Sequence, residues 1–235
     1  MKIDIWSDIM CPFCYIGKRR LEHALSGFEH KADVEITWHS FQLDPDMTAQ
    51  PGKNIHQYLA ERKGMSIDRS VQLHEQMTRN AQADGLVYNF DKAIIANSFD
   101  AHRLIHLAAT HGLGDAAKEA LLKAYFTDGK NISDHNTLMQ IGIEIGLRVI
   151  ETGEMLNSDL YSAEVKDDIE TARQLGINGV PFFVFDNKYA ISGAQHAAVF
   201  SDGLKQAWAE CEKSNTLVTS DGDICSPGGT CEIKN

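Results

Sequence analysis

The sequence predicts an α/β fold whose sheet is built from both ends of the chain, with a large all-helical insertion between them. Three observations lead there. Residues 2–6, "KIDIW", alternate apolar and polar as a half-buried strand does, and "VEITWHS" at 34–40 alternates again. From about 54 to 175 the apolar period is helical instead. Strand character returns only at "VPFFVF" (180–185) and "KYAIS" (188–192).

Taken in order, the first strand runs into "SDIMCPFCYIG", where Cys11 and Pro12 begin a helix. Proline suits a first helical turn, because the N–H it lacks would be unpaired there. Leu21, Ala24, Leu25 and Phe28 give this helix an apolar stripe, and Val34, Ile36 and Trp38 share one face of the next strand. Strand, helix and strand make a βαβ unit. Within the insertion, Asp115 is expected to open the helix "AAKEALLKAYF" and Gly129 to close it. Ser158 is expected to open another, carrying Tyr161, Val165, Ile169, Ala172 and Leu175 and stopped by Gly176. Asp186-Asn187 suits a tight turn between the two late strands. A last helix over roughly 195–212 carries Val199, Phe200, Leu204, Ala207 and Trp208. Beyond Ser214 the chain is poor in apolar residues and reads as a tail.

A chain of 235 residues can bury a sizeable core, and 43% apolar with 23% charged residues is ordinary globular composition. The net charge of −11 opposes nonspecific binding to nucleic acid or to anionic membranes, both of which need a basic patch. The one basic run, "KRR" at 18–20, is expected on a solvated helix face. The N-terminal strand interleaves Lys2 and Asp4 with its apolar residues, so it reads as neither a signal sequence nor a membrane span, and the cytoplasm is the expected compartment. Cysteines there stay mostly reduced, so a close pair points to catalysis or metal binding rather than to a structural staple.

Cys11 and Cys14 are such a pair. At a helix start the first sulfur faces unpaired N–H groups and the positive end of the dipole, which favour thiolate. The second falls on the same helical face. Cys11 is thus the candidate nucleophile and Cys14 the resolving thiol. Lowering a thiol pKa from about 8.5 to about 6 raises the thiolate fraction at neutral pH roughly 30-fold. Intrinsic nucleophilicity falls roughly 13-fold over the same shift, so the larger benefits are a better leaving group and a more oxidising disulfide. Pro12 and Phe13 add no charge and supply apolar surface for a substrate. A zinc site would need two further ligands; Cys225 and Cys231 are the candidates, but their five-residue gap exceeds the usual two to four. A pair of core cysteines without chemistry is the third alternative. His102, His106 and His111 invite a metal reading, but no Glu lies between the first two as a zinc protease would have, and no metal is assigned.

Together, "SDIMCPFCYIG", "NSFDAHRL" (97–104), "GINGVPFFVF" (176–185) and "ISGAQ" (191–195) make the chain resemble the DsbA-like thioredoxin family, and within it the FrnE-type cytosolic oxidoreductases, over about 1–212. The resemblance implies a thioredoxin-like fold with a large all-helical insertion domain: 1–48 and 176–213 the thioredoxin-like domain, 49–175 the insertion, 214–235 a cysteine-containing tail. It implies thiol–disulfide exchange on protein or peptide thiols and disulfides, with no cofactor beyond the redox-active cysteine pair. It also implies a cis Val180-Pro181 peptide facing the cysteines, where a substrate backbone can pair strand-fashion. Asn97 and Ser98 match a family position near the active site, either as a substrate contact or as a helix N-cap. The related 2-hydroxychromene-2-carboxylate isomerases and kappa-class glutathione transferases usually carry Ser where this chain has Cys11, and they bind glutathione. A glutathione-dependent isomerase or transferase is therefore the alternative function, and glutathione a candidate reductant.

In the tail, "CSPGGTC" (225–231) brackets a Pro-Gly-Gly turn. Closing so short a loop adds little stability, so Cys225 and Cys231 read as an auxiliary redox pair exchanging with Cys11 and Cys14. Cys211, on the last helix, is expected to be a buried spectator.

Overall fold

A computed structural model describes residues 1–48, 50, 52–215, 224–225 and 231–232. Strand β1 (Lys2–Ser7) leads into helix α1 (Pro12–Ser26) and strand β2 (Glu35–Ser40). Helices α2 (Ile55–Lys63), α3 (Ile67–Ala83), α4 (Phe99–Thr110), α5 (Gly114–Phe126), α6 (His135–Glu144), α7 (Val149–Leu156) and α8 (Ser162–Gln174) follow. Strands β3 (Phe182–Phe185) and β4 (Tyr189–Ser192) and helix α9 (Ala197–Asn215) complete the main body.

The four strands form one mixed sheet in the order β2-β1-β3-β4. The βαβ unit makes β1 and β2 parallel, with Ile3 opposite Ile36 and Ile5 opposite Trp38. On its other side β1 runs antiparallel to β3, with Ile3 opposite Phe185 and Ile5 opposite Phe183. Asp186 and Asn187 both adopt positive φ, 45° and 56°, and turn the chain from β3 into β4. These two residue types tolerate the left-handed region best after glycine.

Both faces of β1 are covered, so all of its residues except Lys2 are buried. On one face Ile3, Ile5, Phe183 and Phe185 pack under α1 and α9, where the Phe183 and Phe200 rings meet edge to face at 4.7 Å. On the other face Trp6 packs with Ala172 and Ile177, and its Nε1 donates to the Asp168 carbonyl of α8 (3.1 Å). The principal core runs without a break from the sheet into the insertion, through Trp38, Leu104, Leu121 and Phe126.

Five local expectations are corrected. The insertion is not helical throughout: residues 84–98 form a loop with a single 3-10 turn, Phe90–Lys92. Gly85 enters it at φ 75°, and besides its own turn bonds the loop is tied to the end of α5, Asn89 N donating to the Phe126 carbonyl (2.7 Å). Ser158 does not open α8; its hydroxyl donates to the Glu154 carbonyl (2.7 Å) behind α7, and α8 starts four residues later after Tyr161 at φ 64°. Asp115 does not cap α5, which begins at Gly114; its carboxylate accepts from Trp38 Nε1 (3.0 Å) and meets Lys18 (3.3 Å). The "KRR" run is no solvated face. Lys18 is buried against Glu119 (3.1 Å), Arg19 pairs with Glu119 (2.5 Å) and Arg20 with Asp84 (2.9 Å), so these cations clamp α1 to the insertion. Acidic residues brought from far along the chain make that face an interface. Cys211 is half-buried on α9 rather than buried.

Candidate active site

The sequence places Cys11 where extended backbone turns into helix, and the structure keeps it there. Cys11 is the N-cap of α1 (φ −86°, ψ 112°), Pro12 occupies the first turn, and the Cys14 N–H donates to the Cys11 carbonyl (3.0 Å). Both thiols are free, and each shifts the other's ionisation. Cys11 is 3% and Cys14 1% exposed. A partner must therefore reach the Cys11 sulfur as a slim segment rather than as a broad surface.

Val180-Pro181 is a cis peptide bond, and the Val180 carbonyl accepts from the Cys11 sulfur at 3.4 Å. The Val180 N–H has no hydrogen-bond partner among the described residues. Phe13 projects from the first turn and is 41% exposed, the largest apolar surface beside the thiols.

The hydrogen bond to Cys14 and then burial push the Cys11 thiol well above its ordinary range, and the Asp8 carboxylate adds to this. Burial opposes ionisation of Cys14 too, but the hydrogen bond from Cys11, the Lys118 ammonium, the Ser7 hydroxyl and the Asp8 N–H outweigh it and lower its pKa. Of the two sulfurs, Cys14 is the one whose negative charge its surroundings favour.

The charges in those surroundings are on Asp8 and Lys118, which sequence reasoning missed, and Asp8 is held by His102, which the sequence offered only as a metal ligand. Asp8 is fully buried at the end of β1, where its carboxylate accepts from the Leu43 N–H (2.8 Å). His102 of α4, also buried, lies 3.4 Å from Asp8. Burial lowers the His102 pKa, so its neutral ring donates to Asp8; burial disfavours the Asp8 charge, but the hydrogen bonds from His102 and Leu43 hold it ionised. Lys118 of α5 is wholly buried, donates to the Ser7 carbonyl (3.3 Å) and lies over the Trp38 ring, 5.4 Å from its centroid. Burial brings its pKa down to about 8, against the opposing charges of Cys14 and Asp8. A base of that strength beside a thiol can take and return a proton near neutrality. The signal for Asp8 was its place three residues before Cys11; nothing local marks Lys118.

Tyr88, on the 84–98 loop, donates its hydroxyl to the Pro12 carbonyl (2.6 Å) and so ties the insertion to the first turn of α1. Asn97 is engaged on every side: Oδ1 accepts from Phe99 N (2.9 Å) and Gln42 Nε2 (2.9 Å), and Nδ2 donates to the carbonyls of Pro45 (3.0 Å) and Met47 (3.1 Å). It pins the 42–47 segment beside the cysteines. Ser98 is the N-cap of α4 but makes no capping hydrogen bond; buried, it faces the Asp8 carboxylate.

His102 and His106 turn to different carboxylates, His106 meeting Asp168 at 3.1 Å. Among the described residues no group of three or more His, Cys, Asp or Glu is arranged to hold a metal ion. The backbones of Ile224–Cys225 and Cys231–Glu232 pair as antiparallel strands β5 and β6, with Cys225 opposite Cys231. The redox reading of that pair concerns side chains outside the described residues. No helix among the described residues is long and apolar enough to cross a membrane.

Comparison with known proteins agrees with this geometry. The profile of the DSBA-like thioredoxin domain matches residues 2–205. A crystal structure of a probable DsbA oxidoreductase from Streptomyces coelicolor is 37% identical and superposes over the whole of both chains with a TM-score of 0.85. The uncharacterized protein YwbO of Bacillus subtilis (strain 168) is 26% identical over 204 residues, covering 86% of this chain and 94% of its own. The cytosolic disulfide reductase DsbM of Pseudomonas aeruginosa, determined with GSH, is 19% identical with a TM-score of 0.60, covering 92% of this chain and 100% of its own, and shares the fold. The thioredoxin-like fold expected from the sequence is the fold observed.

Proposed function

Because this chain belongs to the family of DsbA-like thioredoxin domains, we propose that it is a thiol–disulfide oxidoreductase acting on protein or peptide disulfides through Cys11 and Cys14. One observation carries the reading: two free thiols at a helix start, the first bonded to the Val180 carbonyl and facing a backbone whose N–H is open to a partner. An extended substrate pairs with Val180 and brings its disulfide to Cys11. As Cys11 attacks, its proton passes to Cys14; a mixed disulfide forms and the substrate's other sulfur leaves as thiolate. Cys14 hands that proton to the thiolate just released and is held ionised by the Lys118 ammonium. The Cys14 thiolate attacks the Cys11 sulfur, the substrate departs as a thiol, and the protein retains the disulfide. The substrate has gained two electrons. The reverse sequence oxidises a substrate dithiol, and the poise of the compartment sets the direction.

In the reducing cytoplasm the sequence points to, this chemistry serves reduction and isomerisation, with glutathione as a reductant of the Cys11–Cys14 disulfide. The test is insulin reduction by the full chain. Cys11→Ser abolishes turnover, while Cys14→Ser accumulates a mixed disulfide on Cys11 visible by intact-mass measurement. Turnover that survives Cys11→Ser overturns the reading. Saturable glutathione binding with isomerase activity surviving Cys14→Ala would establish the glutathione-dependent alternative instead.

A further inference from the structure

Two imidazoles that take no part in the exchange steps meet nitrogen to nitrogen. Nδ1 of His56, in the first turn of α2, lies 2.8 Å from Nδ1 of His74 on α3. The other ring nitrogen of His56, Nε2, lies 3.2 Å from a carboxylate oxygen of Asp91. That carboxylate takes the Nε2 hydrogen, which leaves the Nδ1 of a neutral His56 ring with a bare lone pair. The Nδ1 hydrogen of His74 fills it. A ring whose far nitrogen donates to a carboxylate while its near nitrogen faces a second imidazole is oriented as metal-ligating histidines are.

The surroundings add a third donor and keep the site dry. His74 is 5% exposed, and the Phe90 ring covers it at 4.3 Å between centroids. Burial brings the His74 pKa down to about 4, so its ring is neutral. Met77 follows His74 by three residues on α3, on the same helical face, and both line a cavity of about 210 Å³.

We infer that His56, His74 and Met77 form a binding site for a soft monovalent metal ion, Cu(I). Imidazole suits zinc and copper alike, but a thioether selects Cu(I). Asp91 holds the far nitrogen of His56, so two nitrogens and a thioether fall short of the four ligands of a structural zinc site. The ion takes the place of the hydrogen between the two Nδ1 atoms. His74 then carries that hydrogen on Nε2, so no proton is released and nothing is oxidised or reduced. Metal–nitrogen bonds of about 2.0 Å at a trigonal centre set the two nitrogens roughly 3.5 Å apart, so the rings must part by about 0.7 Å from the 2.8 Å they keep here. The inference is independent of the exchange reading.

The test uses the full chain with all five cysteines replaced by serine, which removes competing thiolates, titrated without oxygen against Cu(I) held by the coloured chelator bicinchoninate. One Cu(I) per chain should leave the chelator. Asp91→Asn changes an exposed side chain and should weaken binding by about 10- to 100-fold through the orientation of His56. His56→Phe, His74→Phe and Met77→Leu remove ligands and should weaken it at least as much. A second measurement needs no substitution. In the parent, with Cu(I) beyond what the thiols take up, the imidazole ¹⁵N signals of Nδ1 in His56 and His74 should shift while those of the other histidines stay. Nδ1 signals that stay put overturn the site, as does a folded cysteine-free chain that takes no Cu(I) or that binds it as tightly after His56→Phe and His74→Phe. Zn(II) held more tightly than Cu(I) by these rings overturns the assignment of the ion.

Discussion

The backbone of Gly17, one turn beyond Cys14, lies directly against the ring of Pro181: a β-carbon there would come within 2.9 Å of Pro181 Cγ and 3.1 Å of the Phe183 ring. This close approach seats the Val180 platform on the helix that carries the thiols. Gly17→Ala should gain roughly 0.5–1 kcal/mol of helix propensity and lose about 1–3 kcal/mol to overpacking. The expected outcome is a net loss of stability in denaturant titration and a larger loss in insulin reduction, because the displaced platform misaligns substrate. A variant as stable and as active as the parent would show that the contact positions nothing.

Lys118→Met should raise the Cys14 thiol, since it removes the buried cation that favours its thiolate. Thiolate absorbance in the ultraviolet reads this directly. Loss of a positioned acid–base group predicts about a 10²-fold slower resolving step. In the parent, a limb near pH 8 in the rate profile should follow the Lys118 titration, and the variant should lack it.

His39 lies between two carboxylates, 2.7 Å from Asp4 and 2.6 Å from Asp168, with its ring stacked on Trp6. Burial works against its charge, but hydrogen bonds and attraction to Asp168 and then Asp4 prevail and raise its pKa. Stability from this raised group is complete below its ordinary value of 6.5 and is lost as pH climbs through the folded-state value. Asp168 runs the other way. Burial opposes its charge, yet bonds from His106 and His39 hold it well below the ordinary 3.8, so its contribution is present above that value and lost as pH falls through the depressed one. The clasp between α8 and the sheet is therefore strongest between these limits. The unfolding midpoint should decline above about pH 6.5 in the parent, and His39→Gln should flatten that decline. Asp168→Asn should cost about 2–4 kcal/mol at neutral pH, leaving His39, His106 and the Ser40 N–H with a weaker acceptor.

Tyr88→Phe should cost about 1 kcal/mol by removing the donor to Pro12. It should also slow exchange without abolishing it, since the loop loses its bond to the first turn of α1. Unchanged stability and rate would mean that solvent replaces the phenol.

The periodic parts of the molecule were legible because their signals are local. The alternation of 2–6 and 34–40, Pro12 at the first turn and Asp186-Asn187 at the hairpin each report geometry decided within a few residues. Residues 84–98 misled because Leu86, Tyr88, Phe90 and Ile95 are buried at spacings a helix also produces, while the segment is held in place by partners far along the chain, as in the bond from Asn89 N to the Phe126 carbonyl. The two cysteines stood out in the sequence, but which of them ionises did not. That depends on Lys118, roughly a hundred residues away and looking in sequence like any surface lysine of an amphipathic helix. Asp8 and His102 hide for the same reason: tertiary burial converts ordinary polar residues into the electrostatic surroundings of a thiol.

The position of β1 at the centre of the sheet also sets a timetable. One of its neighbours, β2, leaves the ribosome soon after it; the other, β3, follows the entire insertion, although Ile3 pairs with Phe185. At roughly 5–20 residues per second, that interval is on the order of ten seconds. The two thiols are thus translated long before the strand that completes their surroundings. Until β3 emerges the nascent chain carries its sulfurs with no substrate platform and no finished sheet, so it gains its chemistry only after the whole insertion has been made.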